Sequence, residues 1–239
     1  MDTIKINHGA CKMIAHRGVS GLERENTCAA FVAAGNRSYF GIETDVHVTK
    51  DGKYAIVHDD TLKRVADLEI NVEESTLEEL QAVRLMDKDD ATRRSDLIVP
   101  TLGDYISICH RYGKEAVLEL KHLIAPEHIA GIVDTVEQLG HFESTTFISF
   151  CHENLLRLRA IRPTAKAQFL PPKHEDWIFK FCVENRIDLD IHHTYLTPEI
   201  VGMIHGAGLL VNCWTVDTVE GAERALSMGV DYITTNILE

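Results

Sequence analysis

The chain has 239 residues, 45% of them hydrophobic and 26% charged, an ordinary globular composition with enough length to bury a core without disulfides or a structural metal. Its 37 acidic residues against 24 basic ones leave a net charge of −13, and no basic arm or Lys/Arg stripe is present, so nucleic-acid binding is not expected. No apolar run approaches the ~18 residues of a membrane span, which excludes membrane insertion as an expectation.

Six cysteines, Cys11, Cys28, Cys109, Cys151, Cys182 and Cys213, form no C-x-x-C pair and read as small apolar residues of a reducing compartment. The N-terminus lacks the pattern of a signal peptide, so a cytoplasmic location is predicted.

In chain order, eight β-type runs alternate with amphipathic stretches. They are Lys12–His16, Tyr39–Asp45, Ala116–Leu120, Thr145–Phe150, Ala165–Leu170, Ile187–His192, Leu209–Trp214 and Val230–Thr234. This rhythm predicts an α/β fold with a parallel sheet, and eight is the number that closes a (β/α)8 TIM barrel, here as one domain over residues 1–239.

Helix signals fall between the strands. Asn26 or Thr27 can cap the first helix and Gly35 can end it; Thr101 with Asp104, and Thr197 before Pro198, start later ones. Asp217 with Glu220 resembles a capping box.

After the second strand, Lys50-Asp51-Gly52 is a hairpin signal, and Lys53–Val57 reads as a ninth run folding back antiparallel. Counting outward from that turn brings His58 near Glu43. Residues from about 47 to 99 are therefore predicted to form a small insertion over the barrel's C-terminal mouth. It contains a helix opened by a capping box at Ser75-Thr76-Leu77-Glu78-Glu79. The charged stretch Asp87–Asp96 reads as a solvated loop.

Barrel active sites lie at the C-terminal ends of the strands. His16-Arg17-Gly18 ends the first strand, Glu43 and Asp45 the second, Glu119 and Lys121 the third, and Trp214 the seventh. Residues two apart on a strand share a face, so Glu43 pairs with Asp45, and Glu119 with Lys121. Three carboxylates in one mouth require positive charge among them; oxygen-only ligation suits one divalent cation, Mg²⁺ or Ca²⁺.

His16 and His58 are the acid–base candidates for phosphodiester chemistry. Arg17 and Lys121 offer phosphate contacts, Gly18 a turn and a close approach for phosphate, and Trp214 an apolar wall. His110, His122, His128, His141, His152, His174 and His205 have no evident partner and are assigned no role. His192-His193 has no supporting neighbour.

Taken together, His16-Arg17-Gly18, Glu25-Asn26-Thr27, Gly41-Ile42-Glu43-Thr44-Asp45-Val46, Thr49-Lys50-Asp51-Gly52, His58-Asp59-Asp60-Thr61-Leu62, Pro100-Thr101-Leu102, Glu119-Leu120-Lys121 and Trp214-Thr215-Val216 closely resemble the glycerophosphodiester phosphodiesterase family. The resemblance implies a barrel with an insertion after strand two. It implies hydrolysis of a small glycerophosphodiester to sn-glycerol 3-phosphate and an alcohol. A divalent metal would be held at Glu43, Asp45 and Glu119, with His16 and His58 as the catalytic pair, and Arg17 and Lys121 at the phosphate.

Three departures stand out: Arg24 replaces the family's usual proline, Asn236 its usual aspartate, and Ala34–Tyr39 is unusual. A related barrel hydrolase acting on lysophospholipids or phosphoinositides is the alternative. It would need an apolar surface beside the mouth, and no exposed amphipathic stretch in the sequence supplies one.

Overall fold

The structure, a computed structural model, describes residues 2–173 and 175–239. β1 (Lys12–Ala15) leads through α1 (Cys28–Gly35) to β2 (Gly41–Val48), and β3 (Tyr54–Ile56) turns back on it before α2 (Lys63–Ala66), α3 (Leu77–Ala82) and α4 (Leu102–Tyr112). From there strand and helix alternate strictly: β4 (Glu115–Leu120), α5 (Pro126–Gln138), β5 (Thr145–Ser149), α6 (His152–Ile161), β6 (Lys166–Phe169), α7 (Asp176–Asn185) and β7 (Asp188–His192). α8 (Pro198–Gly206), β8 (Val211–Trp214), α9 (Val219–Ser227) and β9 (Tyr232–Thr235) complete the chain.

β1 pairs in parallel with both β2 and β9, which closes the sheet on itself. The eight parallel strands form a (β/α)8 TIM barrel, and β3 is the one antiparallel member among the described residues. Bulky apolar side chains on the helix side, among them Phe31, Tyr105, Phe147 and Phe169, are buried in the main core. A smaller set, Ile14, Val117, Ile148 and Leu170, plugs the interior.

The segment between β3 and α4 has its own core of Val57, Leu62, Leu80, Leu85, Leu97 and Val99. Its burial gives the excursion a fixed position instead of leaving it a tether.

The hairpin register pairs Val46 with Ile56 and Val48 with Tyr54. One step on, the Val57 N–H donates to the Asp45 carbonyl at 3.2 Å. Extended further, this ladder would put His58 opposite Thr44, on the face turned away from Glu43. Regular strand structure ends at Ile56 and the chain bends at His58. That bend, which counting from the turn does not anticipate, lets the imidazole enter the cleft.

Two local expectations need correction. Gly35 lies inside α1 without a positive φ, and Asn36 is the C-cap. A Cβ at Gly35 would stand 2.6 Å from the Tyr112 ring, so packing of α1 on α4 explains the glycine. α9 is capped by Thr218, whose side chain accepts from the Gly221 N–H; Asp217 is drawn to Asn236 instead.

Asp87–Asp96 is the largely exposed loop that was expected, and it is also anchored. Arg24, only 6% exposed, donates to the Met86 carbonyl at 2.7 Å, to the Asp87 carbonyl and to the Asp90 carboxylate. Lys88 donates to the Ser20 carbonyl at 2.5 Å, and Arg94 pairs with Glu23 at 2.9 Å. A buried guanidinium is tolerable only when its N–H groups are satisfied, and this segment satisfies Arg24.

Candidate active site

The chain leaves β1 in a strained turn. Arg17 has φ 54°, unusual for a side chain with a Cβ, and its N–H donates to Glu43 Oε2 at 2.9 Å. Gly18 follows at φ 77°, and a Cβ there would lie 2.6 Å from the Ala30 Cβ. The glycine thus permits the turn and the close passage of α1. The direction of that missing Cβ does not support the expected approach of phosphate to its backbone.

Glu43, Asp45 and Glu119 are all buried, and one oxygen of each lies within 4.8 Å of the others. Register explains it: β2 and β4 pair Asp45 directly with Glu119, and Glu43 precedes Asp45 on the same face. Lys121 Nζ stands 2.9 Å from Glu119 Oε1 and 3.5 Å from Asp45 Oδ1, and Arg17 Nε 3.6 Å from Asp45 Oδ2.

Burial and the Asp45 charge push the Glu43 and Glu119 carboxyls upward. Burial opposes ionisation of Asp45 too, but Arg17, Lys121 and His58 outweigh it and hold that carboxyl down. Burial likewise works against the Lys121 ammonium, and Asp45 and Glu119 overrule it upward.

Asp45 Oδ1 and Arg17 Nε are buried without a hydrogen-bond partner among the described residues. Three converging carboxylates with an unpartnered oxygen fit a hard divalent cation. Asn26 orients this set, donating to Asp45 Oδ2 at 2.8 Å while accepting from the Thr44 hydroxyl at 2.7 Å.

The histidines flank the carboxylates. His16 Nε2 is 3.9 Å from Glu43 Oε2, while Nδ1 lies 2.8 Å from Asn236 Oδ1. Burial first, then the Arg17 charge, lowers the His16 pKa to about 4. Asn236 donates in turn to Asp217 Oδ2 at 2.6 Å.

His58 Nδ1 is 2.6 Å from Asp59 Oδ1. Asp59 accepts from Arg64 at 2.7 Å, and Arg64 also pairs with Glu25, which accepts from Arg17 at 2.9 Å. Burial lowers the His58 pKa. Burial opposes ionisation of Asp59, but Arg64 and His58 outweigh it and bring that carboxyl to about 2. In each ring Nδ1 is engaged, which leaves Nε2 as the open nitrogen.

His16, Arg17, Glu43, His58 and Glu119 line one cleft with Ile148, Phe150, Leu170, Asp190 and Trp214. Trp214 packs edge-on against Phe150 at 5.6 Å and His192 at 5.0 Å, and His192 meets Tyr195 at 6.1 Å. Phe150 and Tyr195 are exposed, so an aromatic wall borders the mouth where the sequence showed no apolar surface. A larger cleft at the opposite end of the barrel, around His8, Lys12 and Asp231, gathers no comparable set.

The described residues thus bring all eight expected site residues together. Sequence reasoning gave no site role of their own to Asn26, to the Glu25–Arg64–Asp59 chain or to Asp190. Asp190 is buried with one oxygen unpartnered, and burial, then Glu119, raises its carboxyl well above the usual range. Its signal was the alternation Asp188-Leu189-Asp190, the same two-residue spacing as Glu43 and Asp45.

His192, for which the sequence showed no supporting neighbour, packs on Trp214. Among the histidines assigned no partner, His122 meets Asp60, His205 meets Asp231, and His141 meets the Lys114 carbonyl. His174 lies outside the described residues.

The sequence profile of the glycerophosphoryl diester phosphodiesterase family matches residues 16–239. The chain belongs to that family. A glycerophosphodiester phosphodiesterase of Caldanaerobacter subterraneus is 30% identical over 234 residues, covering 94% of this chain and 93% of that protein. One from Bacillus altitudinis is 29% identical over 238 residues, covering 94% of each. A solved phosphodiesterase of Oleispira antarctica, in complex with the product sn-glycerol-3-phosphate, superposes with a TM-score of 0.87 at 27% identity, covering 94% of this chain and 92% of that one. By family this chain is an enzyme, a phosphodiesterase.

Proposed function

We propose that the chain hydrolyses small glycerophosphodiesters to sn-glycerol 3-phosphate and an alcohol, with one divalent cation, Mg²⁺ or Ca²⁺, held by Glu43, Asp45 and Glu119. The observation that carries this reading is the convergence of three buried carboxylates with two histidines of unequal surroundings in one cleft. When bound, such a cation supplies charge stabilisation at a phosphoryl oxygen.

Arg17 and Lys121 bind and orient the phosphate. His16, kept neutral by burial with its Nδ1 proton directed at Asn236, presents Nε2 to take a proton from water or from the substrate's own hydroxyl. His58 rests on the Asp59 carboxylate, which partly offsets the lowering of its pKa by burial and holds Nδ1, leaving Nε2 to carry a proton to the leaving oxygen. Trp214 forms a wall for the departing alcohol.

The whole chain acts in this reading as one catalytic domain, in which residues from about 47 to 99 cap the mouth and deliver His58. Support comes from the excursion's own core. No helix among the described residues is long and apolar enough to cross a membrane, and all six cysteines are free thiols. The thiols support a reducing, cytoplasmic setting.

A second reading, hydrolysis of lysophospholipids, is favoured by the aromatic wall of Phe150, Trp214 and Tyr195. The deciding experiment measures glycerol 3-phosphate release from glycerophosphocholine and glycerophosphoethanolamine, beside turnover of lysophosphatidylcholine, with and without chelator. Chelator-sensitive release from the glycerophosphodiesters supports the first reading, and preference for the lysophospholipid the second. Full activity after exhaustive chelation overturns the metal assignment.

A further inference from the structure

Beyond the carboxylate triad, a second set of ligating side chains meets at the rim of the mouth. His47 lies on β2 with its ring fully buried, and its Nδ1 is 3.0 Å from Glu73 Oε1. The His122 ring, just past β4, stands 5.4 Å from that of His47, and its Nε2 is 2.8 Å from Asp60 Oδ1. One donor atom from each of His47, Glu73 and His122 lies within 4.8 Å of the other two.

Simple ion pairing accounts poorly for this grouping. The exposed His122–Asp60 pair contributes little on its own, and it has no need to converge on the His47–Glu73 pair. Yet three distant segments are brought to one point, and His122 is held there in the left-handed region at φ 50°, with its carbonyl fixed by the Asn154 amide at 2.5 Å.

Two imidazoles with one carboxylate are the donor set of a borderline cation such as Zn²⁺, unlike the all-oxygen triad. Metal–nitrogen bonds of about 2.0–2.1 Å imply tetrahedral edges of roughly 3.3 Å, near the His47–Glu73 separation. Asp60 is placed to orient His122.

We propose that His47, Glu73 and His122 form a second metal site for a zinc-type cation, with Asp60 as its supporting carboxylate. The site is independent of the phosphodiesterase reading but touches its machinery. His47 Nε2 is 3.4 Å from the His58 carbonyl, and Asp60 follows two residues after His58. An ion here would tie β2, the excursion and the β4–α5 loop together around His58.

The test titrates the full chain with zinc chloride in excess Mg²⁺, which occupies the oxygen triad. Zinc is read by competition with a chromophoric chelator, and the visible spectrum of added Co²⁺ reports imidazole ligation. Glu73→Gln and His122→Ala alter exposed side chains, and thermal unfolding verifies that both variants fold. One zinc equivalent in the wild type, weakened at least ~10-fold in both variants, is the expected result. No zinc uptake by the wild type under excess Mg²⁺, or uptake unchanged in the folded variants, overturns the site.

Discussion

Nδ1 of His16 lies 2.8 Å from Oδ1 of Asn236, and the Asn236 amide is itself held by Asp217 at 2.6 Å. An amide in this position fixes one imidazole tautomer without adding charge. His16→Ala is expected to lower kcat by ~10²–10⁴-fold, and Asn236→Ala by less, in kcat more than in KM. Asn236→Asp places a carboxylate against the ring and favours imidazolium. The acidic limb of the kcat/KM profile then moves to higher pH, and an unmoved limb would count against the tautomer argument.

Metal binding should be proton-linked. Burial and the Asp45 charge raise Glu43, and push Glu119 up to about 7. A carboxyl raised in the folded state stabilises fully below its unfolded value and loses that contribution as pH climbs through the folded value. Chelated protein should therefore lose thermal stability as pH rises through about 7, and a divalent cation should restore it. Calorimetry in buffers of different ionisation enthalpy should show proton release on binding, with affinity increasing with pH.

Lys121 touches both Glu119 and Asp45. Lys121→Met should reduce kcat/KM by ~10²–10³-fold, the scale of one well-placed donor. In chelator it should also destabilise the fold, because two buried carboxylates lose a counter-charge. Steady-state kinetics and chelated thermal unfolding check the two effects separately.

Arg24 holds the 86–90 segment through two carbonyls and a carboxylate. Arg24→Ala should cost about 1–3 kcal/mol, the scale of buried acceptors left unsatisfied, measured by urea unfolding. Limited proteolysis should then cut within residues 87–96, where the wild-type segment is anchored. Resistance equal to wild type would show that Lys88 and Arg94 suffice.

Much of the site was legible because its logic is local. Alternation on a strand puts residues two apart on one face whatever surrounds them, so Glu43 with Asp45 and Glu119 with Lys121 could be paired from spacing alone. The recurrence of strand and helix likewise announced the eight-stranded barrel. His58 was expected from a hairpin turn, yet its entry into the cleft depends on a bend just past β3.

What tertiary structure alone decided involves partners chosen by closure and loop packing. His16 and Asn236 are 220 residues apart and meet because β1 lies beside β9. That meeting also takes Asp217 from helix capping to positioning Asn236. Arg24 became an anchor because the excursion folds over the turn after β1, and His47 met His122 because β2 lies beside β4. Strand periodicity sets which way a side chain points. Which polar group it meets there depends on barrel neighbours and buried loops, and no local pattern encodes those.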